Sequence, residues 1–165
     1  MLKGKAWKFG DGISTDHIAP GRYYHLRSDL NELAKHVLED ARQDFAPGVR
    51  PGDFVVGGRN FGLGSSREHA PIIIEMSGVS AVLAKSFARI FFRNCINVGL
   101  PAVVCDTDQI DEKDELEVDL EGGVVRDITK GIELRFAPLP RVMTRILADG
   151  GLAAHIKRYG DFKLE

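Results

Sequence analysis

Cysteine is scarce in this sequence of 165 residues: there are 2, Cys95 and Cys105, and each lies inside an apolar stretch. A disulfide framework needs more cysteines in an oxidising compartment, so we predict two buried free thiols. The pair also lacks the spacing of metal ligands, and an iron–sulfur cluster takes about four protein ligands, usually thiolates. We therefore predict that this chain binds no metal and cannot hold such a cluster alone.

Long apolar runs and blocks of basic residues are also missing. No run reaches the roughly 18 apolar residues that span a bilayer, and the N-terminal MLKGKAWKFGDG lacks the apolar core of a signal peptide. We therefore expect a cytoplasmic protein with no membrane partner. The formal net charge is -2 and no concentrated Lys/Arg face is present, so we expect no nucleic-acid partner either.

The composition that is present is that of an ordinary globular protein. Hydrophobic residues make up 44% of the chain and charged residues 28%, a balance that excludes a disordered chain. The length fits one domain with its own hydrophobic core. No repeat, low-complexity tract or linker divides the sequence, so we predict a single domain over residues 1–165.

Short apolar runs alternate with helical patterns through the middle of the chain. The runs have the length and flanking turns of buried strands, and the helical patterns carry an apolar face. The predicted strands and helices are, in chain order, residues 53–57, 67–76, 79–85, 87–98 and 101–104. Ser86 directly precedes the helix at 87–98 and is its predicted N-cap. A strand–helix–strand–helix–strand order predicts an α/β fold with a mainly parallel core sheet flanked by helices.

The last third of the sequence has a different character. Alternating polar and apolar residues predict further strands at 116–120, 124–128 and 132–136, and Gly122-Gly123 has the composition of a hairpin turn. We therefore predict an antiparallel β element appended to the α/β core. A terminal helix is predicted from Arg141, interrupted at Gly150-Gly151.

The first third begins with an alternating segment at residues 2–9, which predicts a strand. Residues 10–27 follow neither period, and long loops in compact domains are usually functional. Asp29 and Glu32 have the spacing of a capping box, so we predict a helix from there to Glu39.

The stretch GGRNFGLGSSREHAP, residues 57–71, is the most informative part of the sequence. A buried strand leads into a loop with several glycines, which let the backbone approach a ligand, and the loop reaches Ser65 and Ser66 at the start of a predicted helix. Free amides at a helix N-terminus attract an anion, and Arg67 adds a fork of donors suited to a carboxylate or phosphate. We predict an anion site that contains a serine hydroxyl.

Three familiar loops are excluded at this position. A Walker loop ends in Gly-Lys-Ser/Thr, a dinucleotide fingerprint needs glycine where Arg67 stands, and Ser65 does not lie in a Gly-x-Ser-x-Gly elbow. Two interpretations remain: a functional anion site, or a capped turn that only joins a strand to a helix. A serine without an adjacent histidine accepts a proton only where amides and a cation stabilise its oxyanion.

The motifs of this chain resemble those of the small subunits of the aconitase family, those of isopropylmalate dehydratase and homoaconitase. The resemblance rests on GLGSSREHAP, on AVLAKSFARIFFRNCINVGLP and on the opening GDGISTDHIAPGRY, and it extends from about Gly4 to the C-terminal helix. It implies the fold of the swivelling domain of aconitase. It also implies a hydro-lyase that removes water from a hydroxy di- or tricarboxylic acid and adds it again.

The resemblance further implies a division of labour between two chains. A large subunit is expected to carry a [4Fe-4S] cluster that binds the leaving hydroxyl, while this chain binds no cofactor and supplies the proton-abstracting serine. The resemblance also implies that this chain binds the hydroxy-dicarboxylic acid substrate, and a homo-oligomer of the small subunit stays open.

Carried over residue by residue, the resemblance makes Ser65 the catalytic base. It places Gly64, Ser66 and Arg67 against a substrate carboxylate. Arg27 lies in the loop that distinguishes substrates, residues 21–29; it either pairs with a distal carboxylate or is a solvated arginine paired with Asp29 or with nothing. Asp16, His17, Glu68 and His69 are expected to support these groups, although an Asx turn at Asp16 and a buried imidazole at His17 are equally open.

Two departures from the family pattern stand out. Leu63 occupies a position where many members have cysteine, and the Tyr24–Arg27 run is one residue longer than the pattern. Arg27 favours a substrate with an extra carboxylate, as in homoaconitase. A methylmalate or dimethylmalate dehydratase on the same scaffold is a further alternative. The overall similarity favours interconversion of 2- and 3-isopropylmalate in leucine biosynthesis, and a non-catalytic anion-binding module is the remaining alternative.

Overall fold

A computed structural model describes residues 1–160 of the chain. Its strands are β1 (Leu2–Lys8), β2 (Phe54–Val56), β3 (Ala81–Ala84), β4 (Ala102–Val104), β5 (Glu115–Asp119), β6 (Val124–Asp127) and β7 (Ile132–Arg135). Its α-helices are α1 (Thr15–Ile18), α2 (Leu30–Ala34), α3 (Phe45–Gly48), α4 (His69–Met76), α5 (Arg89–Asn97), α6 (Arg141–Ala148) and α7 (Leu152–Tyr159). Residues 161–165, which the predicted domain includes, lie outside this description.

The strands of the described residues form one sheet with the order β4-β3-β2-β1-β5-β6-β7. Strands β1 to β4 run parallel to one another, and β5 to β7 are antiparallel, with β1 paired to β5 at the junction. The predicted α/β class, with a parallel core sheet and an appended antiparallel element, is confirmed. None of the helices within residues 1–160 is long and apolar enough to cross a membrane.

Alternation along the buried strands sends side chains into two separate cores. Val55 and Val82 pack on the helix-covered face with residues such as Phe61 and Phe91. Phe54 belongs to the core on the other face, because successive side chains of a strand point in opposite directions. The parallel strands therefore need apolar residues at every position, which explains their continuous apolar runs.

The parallel arrangement determines where the loops meet. The chain leaves β1, β2 and β3 at the same edge of the sheet, because parallel strands share their carboxyl ends. The segments that follow are residues 10–15, 57–67 and 85–88. Ligands of open α/β sheets bind outside the carboxyl ends of the strands, and this edge holds the glycine-rich loop.

The predicted helix over residues 67–76 begins later, at His69, so its predicted start is wrong. Pro71 gives the physical reason: proline has no N–H to donate inside a helix and is tolerated only in the first turn. Glu68 occupies the N-cap position and makes no side-chain capping bond. Ser65 and Ser66 therefore precede the helix and do not cap it.

Three other local predictions are corrected. Asp29 caps α2, accepting from the Glu32 N–H at 3.3 Å, but the helix ends at Ala34 rather than Glu39. The chain turns away because Leu38 has a φ of 56° and donates its N–H to the Ile18 carbonyl at 3.0 Å.

The segment over residues 10–27 is not an irregular loop throughout, since it contains α1 and a 3₁₀ turn, Gly21–Leu26. Ser86 does not cap α5; it accepts from the Asn60 N–H at 2.8 Å.

Candidate active site

Two loops run side by side at the carboxyl edge of the sheet. Gly62 N–H donates to the Ile13 carbonyl at 2.7 Å, and Thr15 N–H donates to the Leu63 carbonyl at 2.8 Å. The buried Thr15 hydroxyl then donates to the carbonyl of Ser65 at 2.8 Å. These bonds join segments about 50 residues apart and fix the backbone of Ser65 against the first loop.

Glycine is required at two positions of this loop. Gly62 has a φ of +84°, and a Cβ there would lie 2.1 Å from Cγ of Phe91, so the backbone rests directly on the ring of an α5 residue. Gly64 has a φ of +103°, which residues with a side chain rarely adopt. The loop can turn towards Ser65 this closely to α5 only because both positions lack a side chain.

Ser65 opens into a cleft of about 310 Å³ between the glycine-rich loop and the first turns of α5. The cleft is lined by Gly64, Ser65, Ser66 and Arg67 on one side and by residues of α5 such as Arg89 and Asn94 on the other. Within residues 1–160, the hydroxyls of Ser65 and Ser66 have no hydrogen-bond partner. Their backbone N–H groups, and that of Arg67, also donate to no acceptor of the described chain.

Arg67 is held by two acceptors of the first loop. Its Nη1 donates to the Ala19 carbonyl at 2.8 Å, and its Nη2 lies 3.3 Å from Oδ1 of Asp16. Asp16 also accepts from the Gly21 N–H at 2.9 Å, so one carboxylate joins Arg67 to the start of the 3₁₀ turn. The Arg67 side chain keeps about a fifth of its surface exposed, at 21%.

His17 lies in the same segment and is engaged with Ser14. Its Nδ1 accepts from the Ser14 N–H at 2.9 Å, while its own N–H donates to the Ser14 hydroxyl at 3.1 Å, which forms a capping box at the start of α1. His17 thus stabilises the loop that carries Asp16. The geometry favours a positioning role, and contact with substrate stays a prediction.

His69 and Arg27 come together through Tyr24. The guanidinium carbon of Arg27 lies 4.3 Å from the centre of the Tyr24 ring, and that ring lies 6.2 Å from the ring of His69. Arg27 donates to the Tyr24 carbonyl at 3.1 Å and makes no ion pair with Asp29 in the described chain. Burial, followed by the positive charge of Arg67, lowers the pKa of His69 below its ordinary value, and Arg27 acts in the same direction.

The structure therefore brings most of the predicted site residues to one edge, and their roles stay predictions. Glu68 is exposed beside the cleft and makes no side-chain hydrogen bond at the N-cap. Sequence reasoning missed Thr15 and the carbonyl of Ala19, which fix Ser65 and Arg67. The TDHIAP segment contains both residues, but their role in fixing Ser65 and Arg67 follows only from the long-range contact between the two loops.

The donor set of the described chain does not fit an iron–sulfur cluster. Cys95 and Cys105 are free and buried, as predicted, and they lie in the separate cores on opposite faces of the sheet. Burial raises the pKa of Cys95 well above its usual value and that of Cys105 to about 12, so both thiols stay protonated. No group of three or more His, Cys, Asp or Glu residues within residues 1–160 is arranged to hold a metal ion.

The relatives found by comparison with known proteins agree on one family. The model of the aconitase C-terminal domain family matches residues 17–107, just over half of the chain. The chain is 65% identical over 163 residues to 3-isopropylmalate dehydratase small subunit 2 of Archaeoglobus fulgidus, with 99% of each chain covered. It is 59% identical over 163 residues to 3-isopropylmalate dehydratase small subunit 1 of Thermotoga maritima, with 98% of each chain covered.

One solved structure and one relative with another name complete the comparison. The crystal structure of a 3-isopropylmalate dehydratase from Methanocaldococcus jannaschii superposes with a TM-score of 0.92 at 43% identity, covering 96% of this chain and 95% of that one. A methanogen homoaconitase small subunit of Methanothermobacter thermautotrophicus is 51% identical over 155 residues, with 94% of this chain and 90% of that one covered.

The fold and the serine-bearing loop define the class of aconitase C-terminal domains. Within that class, the chain belongs to the family of 3-isopropylmalate dehydratase small subunits. A small subunit implies a large-subunit partner, so the protein is one component of a heteromer.

Proposed function

We propose that this protein is the small subunit of a hydro-lyase that interconverts 2-isopropylmalate and 3-isopropylmalate in leucine biosynthesis. The observation that carries the proposal is the Ser65 hydroxyl, which faces a cleft without a protein partner, beside free amides and the guanidinium of Arg67. A capped turn with only a structural task would use these donors and acceptors internally. The relatives named as small subunits of this dehydratase support the same activity.

The residues of this chain act on the carbon that loses a proton. A carboxylate of the hydroxy acid lies against the amides of residues 64–67 and the guanidinium of Arg67, which donate to it in a charge-assisted manner. The Ser65 alkoxide, whose negative charge these amides and Arg67 also stabilise, accepts the proton from the carbon next to that carboxylate and becomes a hydroxyl. Negative charge then develops on the carboxylate oxygens, where Arg67 and the amides stabilise it more strongly than in the ground state.

The other half of the reaction belongs to the partner. We place a [4Fe-4S] cluster on the large subunit, which fits a small subunit whose own cysteines are buried on opposite faces of the sheet. Such a cluster supplies Lewis-acid chemistry at the departing hydroxyl when it is bound there. Substrate then lies between the two chains, where closure excludes water. We also place the complex in the cytoplasm, where buried free thiols stay reduced.

Ser65→Ala tests the role of the hydroxyl in a reconstituted complex with the large subunit. We expect kcat to fall roughly 10²- to 10⁴-fold, the usual contribution of a positioned proton-transfer group. Binding of the large subunit and the absorption spectrum of its cluster are expected to stay unchanged. Ser28→Ala is a suitable control, because Ser28 is an exposed serine on the 20–30 segment and is not part of the cleft.

Near-normal turnover of the Ser65→Ala complex would contradict the proton-transfer role. A complex of the unaltered chains that binds carboxylates but turns over no hydroxy acid would support the non-catalytic anion-binding module instead. Both outcomes are read from the same preparation, because partner binding is measured separately from turnover.

One observation favours a second candidate, a small subunit of homoaconitase. Arg27 is held on the Tyr24 ring near His69, where a cation suits a substrate with an additional carboxylate. The methylmalate and dimethylmalate dehydratases are the neutral-substituent alternatives. Competing 2-isopropylmalate with homoaconitate and a dimethylmalate on the reconstituted pair assigns the substrate by the ratio of kcat/KM values.

A further inference from the structure

The outer face of α5 continues the rim of the Ser65 cleft. The inner face of this helix is buried through Phe91, Cys95 and Ile96, whereas Arg89, Ile90 and Arg93 are exposed on the outside. Val104 of the edge strand β4 lines the same groove as Arg89 and Arg93 and extends this face. We call Arg89, Ile90, Arg93 and Val104 together the α5 surface.

Two apolar side chains of the α5 surface are exposed without a structural reason. Ile90 is 56% exposed and Val104 50%. Single exposed apolar residues are ordinary on protein surfaces, but residues grouped around a functional cleft mark an interaction site. The grouping therefore points to a surface that another molecule covers.

A second groove lies beside the cleft on the outer side of α5. It has a volume of about 390 Å³ and is lined by Phe87, Phe92, Met143 and Val104 together with Arg89 and Arg93. Arg89 also lines the Ser65 cleft, so the cleft and the groove lie on either side of this side chain. An apolar centre with polar residues at its edge is the usual anatomy of a protein interface.

The charges of the α5 surface are also unpartnered. Neither Arg89 nor Arg93 makes a hydrogen bond or an ion pair with another residue in the part of the chain that the structure describes. In contrast, Arg22 and Arg42 each bind two carboxylates elsewhere on the molecule. Two free guanidinium groups beside exposed apolar residues fit a partner with an apolar centre and acidic groups around it.

We propose that the α5 surface is the docking site for the large subunit, through apolar contacts of Ile90 and Val104 and ion pairs of Arg89 and Arg93. The occupant follows from the position of this surface beside the cleft. The proposed function places the substrate between the two chains, so the large subunit lies against the rim that Arg89 and Ile90 form. The identity of the partner rests on the proposed function, but binding is tested without turnover.

Val104→Lys and Arg93→Glu test the proposal, because neither residue lines the Ser65 cleft. Titration of each small-subunit variant into the large subunit, followed by calorimetry, is expected to raise Kd at least about tenfold, as hot-spot substitutions do. Ile128→Lys is the matched control: Ile128 is also β-branched, lies at a strand end and is 49% exposed, but faces another groove. We expect the control to bind as the unaltered chain does.

Further readings make the outcome decisive. Circular dichroism must give all variants the Tm of the unaltered protein. At saturating large subunit, Val104→Lys is expected to keep the kcat of the unaltered complex. Ser65→Ala is expected to lose kcat and to keep the Kd for the large subunit. The affinity is also expected to fall with rising salt, and Arg93→Glu should reduce that dependence. Unchanged Kd for both variants would overturn the proposal. So would equal weakening by Ile128→Lys, or loss of a small-subunit homodimer alone in light scattering.

Discussion

Arg67 reaches the cleft with its orientation already determined by the protein. Two of its nitrogens contact the Ala19 carbonyl and the Asp16 carboxylate, yet a guanidinium has five N–H donors, so donors remain for a substrate. A side chain that is held before binding loses less conformational entropy when the ligand arrives. Asp16 is therefore a positioning residue, because it acts on substrate through Arg67.

Asp16→Asn separates the charge of this residue from its hydrogen bond. The asparagine oxygen still accepts from the Gly21 N–H, but the ion pair with Arg67 is lost. We expect kcat/KM to fall roughly two- to fivefold, as for the loss of about 0.5–1 kcal/mol from an exposed ion pair, mostly through KM and in smaller part through kcat, because Arg67 contacts the carboxylate before and during proton removal.

Steady-state kinetics of the reconstituted complex measure this effect. Asp29→Asn serves as control, since Asp29 is a nearby exposed carboxylate that caps α2 and has no contact with Arg67. A fall in kcat at constant KM would show that Asp16 acts in the chemical step rather than in binding.

At the scale of elements, local patterns were sufficient for most of the fold. The apolar runs predicted β2, β3 and β4, and the alternating segments predicted β5 to β7, all of which form. The Gly150-Gly151 break between α6 and α7 was also found, because glycine ends helices by its own conformational preference. These elements are determined by residues close together in the chain.

Long-range contacts account for what the patterns missed. Serine is a common helix cap and Ser86 directly precedes a predicted helix, yet its hydroxyl accepts from the Asn60 N–H, 26 residues away. Leu38 ends a helical pattern because it bonds to the Ile18 carbonyl. The candidate site residues could be named from the loop motif. The hydrogen bonds from Thr15 to Ser65 and from Arg67 to Ala19 could not, because they form only where two loops about 50 residues apart lie side by side at the sheet edge, and no local sequence pattern predicts that contact.

The contact of the glycine-rich loop with α5 gives a prediction for Gly62→Ala. A Cβ would lie 2.1 Å from Phe91 and the residue would keep a φ of +84°, so the loop or the helix must shift. We expect a loss of at least about 2 kcal/mol in the free energy of unfolding, from overpacking and backbone strain together. Urea denaturation of the isolated subunit measures this loss.

Gly131→Ala separates strain from steric overlap. Gly131 has a similar φ of +70°, but a Cβ there meets nothing within 4 Å, so only about 1 kcal/mol of strain is expected. Equal destabilisation by both substitutions would show that the contact with Phe91 contributes nothing, and the account of the loop position would then be wrong.

For the whole molecule, the junction between the two halves of the sheet carries a buried pair of acids. Asp127 ends β6 and Asp114 directly precedes β5; they are 1% and 5% exposed. Oδ1 of Asp127 accepts from the Lys130 N–H at 3.0 Å, but its buried Oδ2 receives no donor among the described residues. The ammonium of Lys130 lies 3.9 Å from Asp114 and 2.8 Å from Asp111, so the cation favours the other two acids.

A shared proton resolves this arrangement. Burial, followed by contact with the Asp114 carboxyl, raises the pKa of Asp127 from 3.8 to about 6. Burial alone would raise the pKa of Asp114 as well, but the hydrogen bond from Asp127 lowers it. Below about pH 6, protonated Asp127 therefore donates to ionised Asp114. The parallel and antiparallel strands share one apolar core on this face. Loss of that proton therefore lowers the free energy of unfolding of the whole domain.

The sign of the pH dependence follows from the raised pKa of Asp127. Between about pH 4 and pH 6 the folded protein holds a proton that the unfolded chain has released, so this group makes stability fall as pH rises through that window. Asp127→Asn supplies a permanent donor to Asp114 and keeps an acceptor for Lys130. We expect its Tm to exceed that of the unaltered protein at pH 7.5 by about 2–4 °C, the shift that 1 kcal/mol gives in a domain of this size.

Thermal unfolding of the isolated subunit from pH 4.5 to pH 8 measures the difference, which should shrink towards the acidic end. Working above pH 4.5 avoids the protonation of carboxylates with lowered pKa, such as Asp44, Asp108 and Asp149, whose loss of stability has the opposite sign. Asp119→Asn is a control on β5, since Asp119 carries a carboxylate outside the pair. If Asp127→Asn lowers Tm equally at every pH, Asp127 is ionised throughout, and a proton shared between Asp127 and Asp114 is excluded.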